Sequence, residues 1–142
     1  MSDIPVFDQT QQKTRQWIDF VAREMGSTDA QRGYVVLRAV LHAVRDRLPV
    51  DEASQLAAQM PMLLRGFYYE GWKPATNPEK YRHREDFLEH IARDVPELDP
   101  VQRERAASAV FAALDEYVGE GETSQVWHAL PEEVRALWPG KG

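Results

Sequence analysis

The sequence predicts an all-α fold made of two pseudo-symmetric four-helix repeats, about eight helices packed as one domain over residues 1–142. Three observations carry this. Apolar residues recur at spacings of three and four. The chain matches itself without a gap at an offset of 70 residues. No long alternating run of valine and isoleucine marks a strand.

In the self-match, Trp17–Tyr68 lies on Phe87–Trp138, and eleven of the 52 pairs are identical, among them Asp29/Asp99, Ala43/Ala113, Glu52/Glu122, Pro61/Pro131 and Arg65/Arg135. Apolar positions agree more widely, as in Leu41/Phe111 and Leu64/Val134. The organisation expected is repeat one over 11–69, a connector over 70–82, and repeat two over 83–138.

The elements follow in order. Trp17, Val21 and Met25 form a stripe on the first helix, and Leu37, Leu41, Val44 and Leu48 form one on the second. Ser27, Thr28 and Asp29 offer a cap between them. A short third helix carries Glu52, and Pro61 opens a fourth, MLLRGFYY. After the connector, Glu79–Asp94 is expected to resume as helix. Asp99-Pro100 starts the next, whose stripe is Ala107, Phe111, Leu114 and Val118. Gly119 and Gly121 punctuate the chain before the seventh helix, and Pro131 opens the last, EEVRALW. Because Glu52 with Arg65 and Glu122 with Arg135 recur in both halves, they read as repeated ion pairs tying third helix to fourth, a structural role.

The composition bounds function. The chain has 142 residues and no cysteine, which excludes disulfides, Cys-based zinc sites and thiol catalysis and suits a reducing cytoplasm. The N-terminal stretch lacks the apolar segment of a signal peptide, and no apolar run reaches the ~20 residues of a membrane span. Net charge is −6, and the residues through Glu70 hold eight Lys/Arg against nine Asp/Glu, while those from Gly71 on hold nine against fourteen. That balance argues against nucleic acid as a partner.

Residues that break the repeat are the better candidates for function. GFYYEGWKPATNPEKYRHRED, residues 66–86, concentrates aromatics and prolines where the two units join. Tyr68, Tyr69, Trp72, Tyr81, Arg82 and Arg84 form the candidate binding surface, since Tyr, Trp and Arg dominate binding hot spots. The competing reading packs the aromatics into the groove between halves. The basic run Lys80–Arg84 reads either as an anion contact or as a solvated helix start.

The strings RGFYYEGWKP, RHREDFL and LPEEVRALWPG resemble a bacterial domain-of-unknown-function family, number 2267, across about Arg15 to Pro139. The resemblance implies a small, mostly helical, bacterial and cytoplasmic protein. It carries over no catalytic residue. Its characteristic positions here are Arg65, Gly66, Tyr68, Tyr69, Gly71, Trp72, Pro131, Leu137 and Trp138.

No phosphate-cradling glycine loop and no nucleophile elbow is present. His83, Asp86 and His90 share a helical face by spacing, but His90 stands where Phe20 does in the first unit, so no metal and no cofactor is expected. The main expectation is a non-catalytic protein-interaction module that binds a partner or a second copy. The alternatives are a small-molecule domain or enzyme gripping an anionic ligand in the crevice between halves, and a weak DNA binder using Arg32, Arg38, Arg45 and Arg47.

Overall fold

Proline, aspartate and glycine set the helix ends. The computed structural model describes residues 2–141, and among these the chain forms eight α-helices and no strand. Pro5 lies in the first turn of α1 (Pro5–Glu24), where its missing N–H removes no bond. Gly26 follows the end of α1 at φ +73°, a conformation glycine adopts without steric cost. Asp29 caps α2 (Ala30–Arg47), accepting from the Gln31 N–H at 3.0 Å. Pro49 and Pro61, both extended, precede α3 (Val50–Ala58) and α4 (Met62–Tyr69).

The connector holds one 3-10 turn, Pro74–Thr76. α5 spans Arg84–Asp94, five residues later than the expected start at Glu79. Glu79–His83 is not helical because its backbone is engaged elsewhere: the Glu79 N–H donates to the Asp46 carbonyl at 2.8 Å and the Tyr81 carbonyl accepts from Arg47 at 3.1 Å. Asp99 and Gln102 form a reciprocal capping box at the start of α6 (Pro100–Tyr117). α7 (Glu120–Ala129) follows Gly119, and α8 (Glu132–Arg135) follows Pro131.

α2 and α6 are the central helices. α2 packs on α1, α4, α5 and α6, and α6 packs on α1, α2, α5 and α7. Both are therefore rich in small and aliphatic residues that vanish from solvent, such as Val40, Ala43 and Val44 on α2 and Val110, Ala113 and Leu114 on α6. Each such Val or Leu contributes roughly 1.5–3 kcal/mol by leaving water. Aromatic stacks fill the remaining space: Phe111 lies 4.5 Å from Trp138 and 6.0 Å from Phe87, and Trp17 lies 5.3 Å from Tyr117. Gly33 permits a close approach of α1 to α2, since a Cβ there would stand 2.4 Å from the Ile18 carbonyl oxygen.

Arginines complete the helix ends. The last carbonyls of a helix lack intrahelical donors. Arg65 donates to the carbonyls of Ala57 and Met60 at the end of α3. Arg135 donates to those of Trp127, His128 and Leu130 at the end of α7. This corrects the expected ion pairs: neither arginine bonds to Glu52 or Glu122. Those glutamates lie in the first turns of α3 and α7, while the arginines sit beneath the last turns, roughly 8–12 Å away along the axis at 1.5 Å per residue.

Candidate functional site

The connector is fastened to the end of α2. The Asn77 amide donates to the carbonyls of Arg45 at 2.6 Å and Leu48 at 2.9 Å, and its oxygen accepts from the Trp72 indole N–H at 2.8 Å. One side chain thus caps α2 and holds the connector's tryptophan. Trp72 stacks on Tyr69 at 5.4 Å, and both pack half-buried against the core. Tyr81 is half-buried as well, with the Arg47 guanidinium 5.3 Å from its ring centre. Burial pushes the Tyr81 phenol above its ordinary range, and its hydroxyl has no hydrogen-bond partner.

Tyr68 is not a contact residue. It is 0% exposed and donates from its hydroxyl to the Ala53 carbonyl at 2.8 Å. Its spacing from Leu64, one helical turn earlier, points it into the core rather than out with the neighbouring Tyr69. Arg84 pairs with Glu104 at 3.3 Å, and its backbone N–H donates to Glu133. Arg82 is exposed and lines a cleft of about 460 Å³ beside α8, along with His83, Glu132 and Glu133.

A polar knot lies under the connector. Arg45 is 5% exposed and donates to the carbonyls of Tyr68 and Glu70 and to the Asp46 carboxylate at 2.8 Å. Asp46 accepts from the His90 Nε2–H at 2.8 Å, and Glu79 stands 4.0 Å from the same nitrogen. Burial works against the charge on Asp46, but the His90 and Arg45 hydrogen bonds outweigh it and hold the carboxyl below its ordinary value. Asp46, Glu79 and His90 converge closely enough to hold a metal ion. The chemistry around them does not fit one. Arg45 already supplies the cation, and a metal on Nε2 would shift the proton to Nδ1, which is buried without an acceptor. The set His83, Asp86 and His90 does not assemble: His83 turns to Glu133 at 3.1 Å while His90 turns to Asp46.

Sequence reasoning missed a groove between α1, α2 and α4. It has a volume of about 640 Å³, with walls from Ile18, Tyr34, Leu63 and Phe67, Thr14 below, and Asp8, Gln11, Gln12 and Arg15 at the rim. Tyr34 meets Phe67 edge to face at 5.2 Å. The Thr14 hydroxyl is buried without a hydrogen-bond partner. Thr10 accepts from the Leu63 N–H at 2.8 Å and so docks the start of α4 on α1. Phe7 and Met62 are each 51% exposed, Val6 44% and Leu63 38%. The signal in the sequence was an apolar trio, Ile4, Val6 and Phe7, ahead of the region covered by the self-match.

A protein-family model described as "Uncharacterized conserved protein (DUF2267)" matches residues 14–137. The chain belongs to this family. No curated protein matches the chain. The DUF2267 match runs from the middle of α1 to the residues just after α8, so it takes in the connector, the polar knot and most of the groove walls, but not Phe7 or the first turns of α1. Among the described residues of this DUF2267 protein, no helix is long and apolar enough to cross a membrane.

Proposed function

We propose that this DUF2267 protein is a non-catalytic interaction module that receives the apolar face of an amphipathic helix from a partner protein in its α1–α4 groove. The observation that carries this reading is an apolar-walled groove whose Leu63 is 38% exposed, framed by two helices that also leave Phe7 (α1) and Met62 (α4) in water. An apolar groove on helices that carry further exposed apolar side chains marks a contact site. α1 and α4 flank the groove and Tyr34 of α2 completes its wall, a geometry into which a further helix lays its apolar stripe. The aromatic connector, by contrast, is held by its own hydrogen bonds and packing, and serves as a strap. The absence of cysteine suits work in a reducing compartment, the cytoplasm.

The anionic-ligand reading has less behind it. In the cleft near Arg82, Glu132 and Glu133 oppose an anion, and Arg47 and Arg135 already serve carbonyls. For DNA, Arg38 is paired with Glu70, Arg45 is buried and Arg47 holds Tyr81.

A photo-crosslinking residue placed at Phe7 tests the proposal in cells. The expected result is capture of a discrete protein, lost on Leu63→Glu, with no capture from the same residue placed at Tyr69. Capture from Tyr69 and none from Phe7 would return the contact surface to the connector.

A further inference from the structure

The first turns of α3 and α7 bring two carboxyls together. Glu52 and Glu122 lie in the first turns of helices that pack on each other, and Glu52 is the one neighbouring group that raises Glu122. Each keeps one carboxyl oxygen, Oε2, buried with no hydrogen-bond partner. Among the described residues, no lysine, arginine or histidine pairs with either group.

The charged groups on the helices packed against the pair are engaged elsewhere or sit in water. On α2, Arg45 holds Asp46 and the carbonyls of Tyr68 and Glu70, and Arg47 holds the Tyr81 carbonyl. On α4, Arg65 caps α3, and the Tyr68 phenol donates to Ala53. On α6, Asp115 accepts from the Trp138 indole and pairs with Lys141, and Glu116 is exposed. On α3 and α7 themselves, Asp51 and Glu120 are exposed, and His128 bonds to the Ser124 carbonyl. Nothing cationic compensates a second negative charge.

Two carboxylates in contact, part-buried and without a counter-cation, do not both ionise. We infer that Glu122 keeps its proton beside the Glu52 carboxyl as a pH-sensitive latch that closes α3 on α7. Burial first, and the Glu52 carboxyl second, push Glu122 up to about 8. When the proton leaves, two like charges face each other and the α3–α7 contact opens. A carboxyl raised from 4.5 to about 8 stabilises the fold fully in acid; that stability falls as pH rises above 4.5 and is gone once pH has passed about 8.

Thermal unfolding of the wild type, Glu52→Gln and Glu122→Gln, compared from about pH 6 to about pH 9, reads the latch. Each glutamine can still donate an amide hydrogen bond to the remaining carboxylate but leaves no second charge to ionise. The wild-type melting temperature is expected to drop across this range relative to both variants, and the drop to vanish in the double variant. Infrared spectroscopy of the wild type alone adds a second reading: a protonated-carboxyl band present at neutral pH and lost in base. Parallel pH profiles for wild type and variants, or no such band at neutral pH, would overturn the latch.

Discussion

The first turns of α1 and the connector stand 70 residues apart in the sequence and do opposite things. Residues 5–13 are helix ahead of Thr14; residues 75–83, at the offset of 70, are mostly extended chain ahead of Arg84. The helical version takes the Leu63 N–H on Thr10, sends Asp8, Gln11 and Gln12 to the edge of a groove and leaves Phe7 in water. The extended version is drawn onto the end of α2 by Asn77, Glu79 and Tyr81 and covers its own aromatics. The difference is one of backbone bonding. A segment whose N–H and C=O groups bond within itself stands off the core and can frame a groove. A segment whose groups must find partners outside itself is pulled down onto those partners.

The helix beneath each segment differs too, and that gives the largest expected effect. Gly33→Ala forces a Cβ against the Ile18 carbonyl, so α1 must shift on α2; the expected loss is about 1–3 kcal/mol, read by denaturant unfolding. Arg103 stands at the offset of 70 from Gly33, and Arg103→Ala is expected to lose much less. Equal losses would mean that the close approach of α1 does not distinguish the two halves.

Asn77→Ala removes the bonds to Arg45, Leu48 and Trp72 at once. A loss of about 1–3 kcal/mol is expected, since the Leu48 carbonyl is left without its side-chain donor and the Arg45 carbonyl keeps only the long bond from the Leu48 N–H. Trp72 emission should shift red and become more open to acrylamide, using Trp72→Phe to isolate its contribution. Unchanged quenching would show that stacking on Tyr69 alone holds the strap.

Phe7→Ala is the counterpart on the helical segment. The side chain is half exposed, so stability is expected to change by less than about 0.5 kcal/mol. A large loss would make Phe7 a packing residue and remove it from the contact surface.

The smallest effect lies where the connector meets α8. Glu133 raises the pKa of His83 by hydrogen bonding and then by its charge. Glu133→Gln should lower the His83 pKa toward 6.5 in an NMR titration. Since the folded value lies above the unfolded one, the pair's contribution is present below 6.5 and lost as pH rises through the folded value.

Much of the fold was legible because helix stripes and caps are local signals. The stripe of Leu37, Leu41, Val44 and Leu48 and the Asp99-Pro100 start depend on spacing and on the nearest backbone groups, and they locate α2 and α6. The same local reading misplaced the start of α5, since Glu79–His83 carries no sign of the Asp46 and Arg47 groups that hold it extended. It also gave Arg65 and Arg135 the wrong partners: matching charges in both halves suggested glutamates, but unpaired helix carbonyls lay nearer.

By itself, then, the sequence determined the all-helical class, the helix count and the place of the aromatic strap, because periodicity and capping act within a few residues. Only the tertiary structure decided that Tyr68 is buried while Phe7 is exposed, that Asn77 is the clasp of the strap, and that Glu52 meets Glu122. Those facts depend on which surfaces come together across helices distant in sequence, where burial and the search of each polar group for a partner override charge and composition.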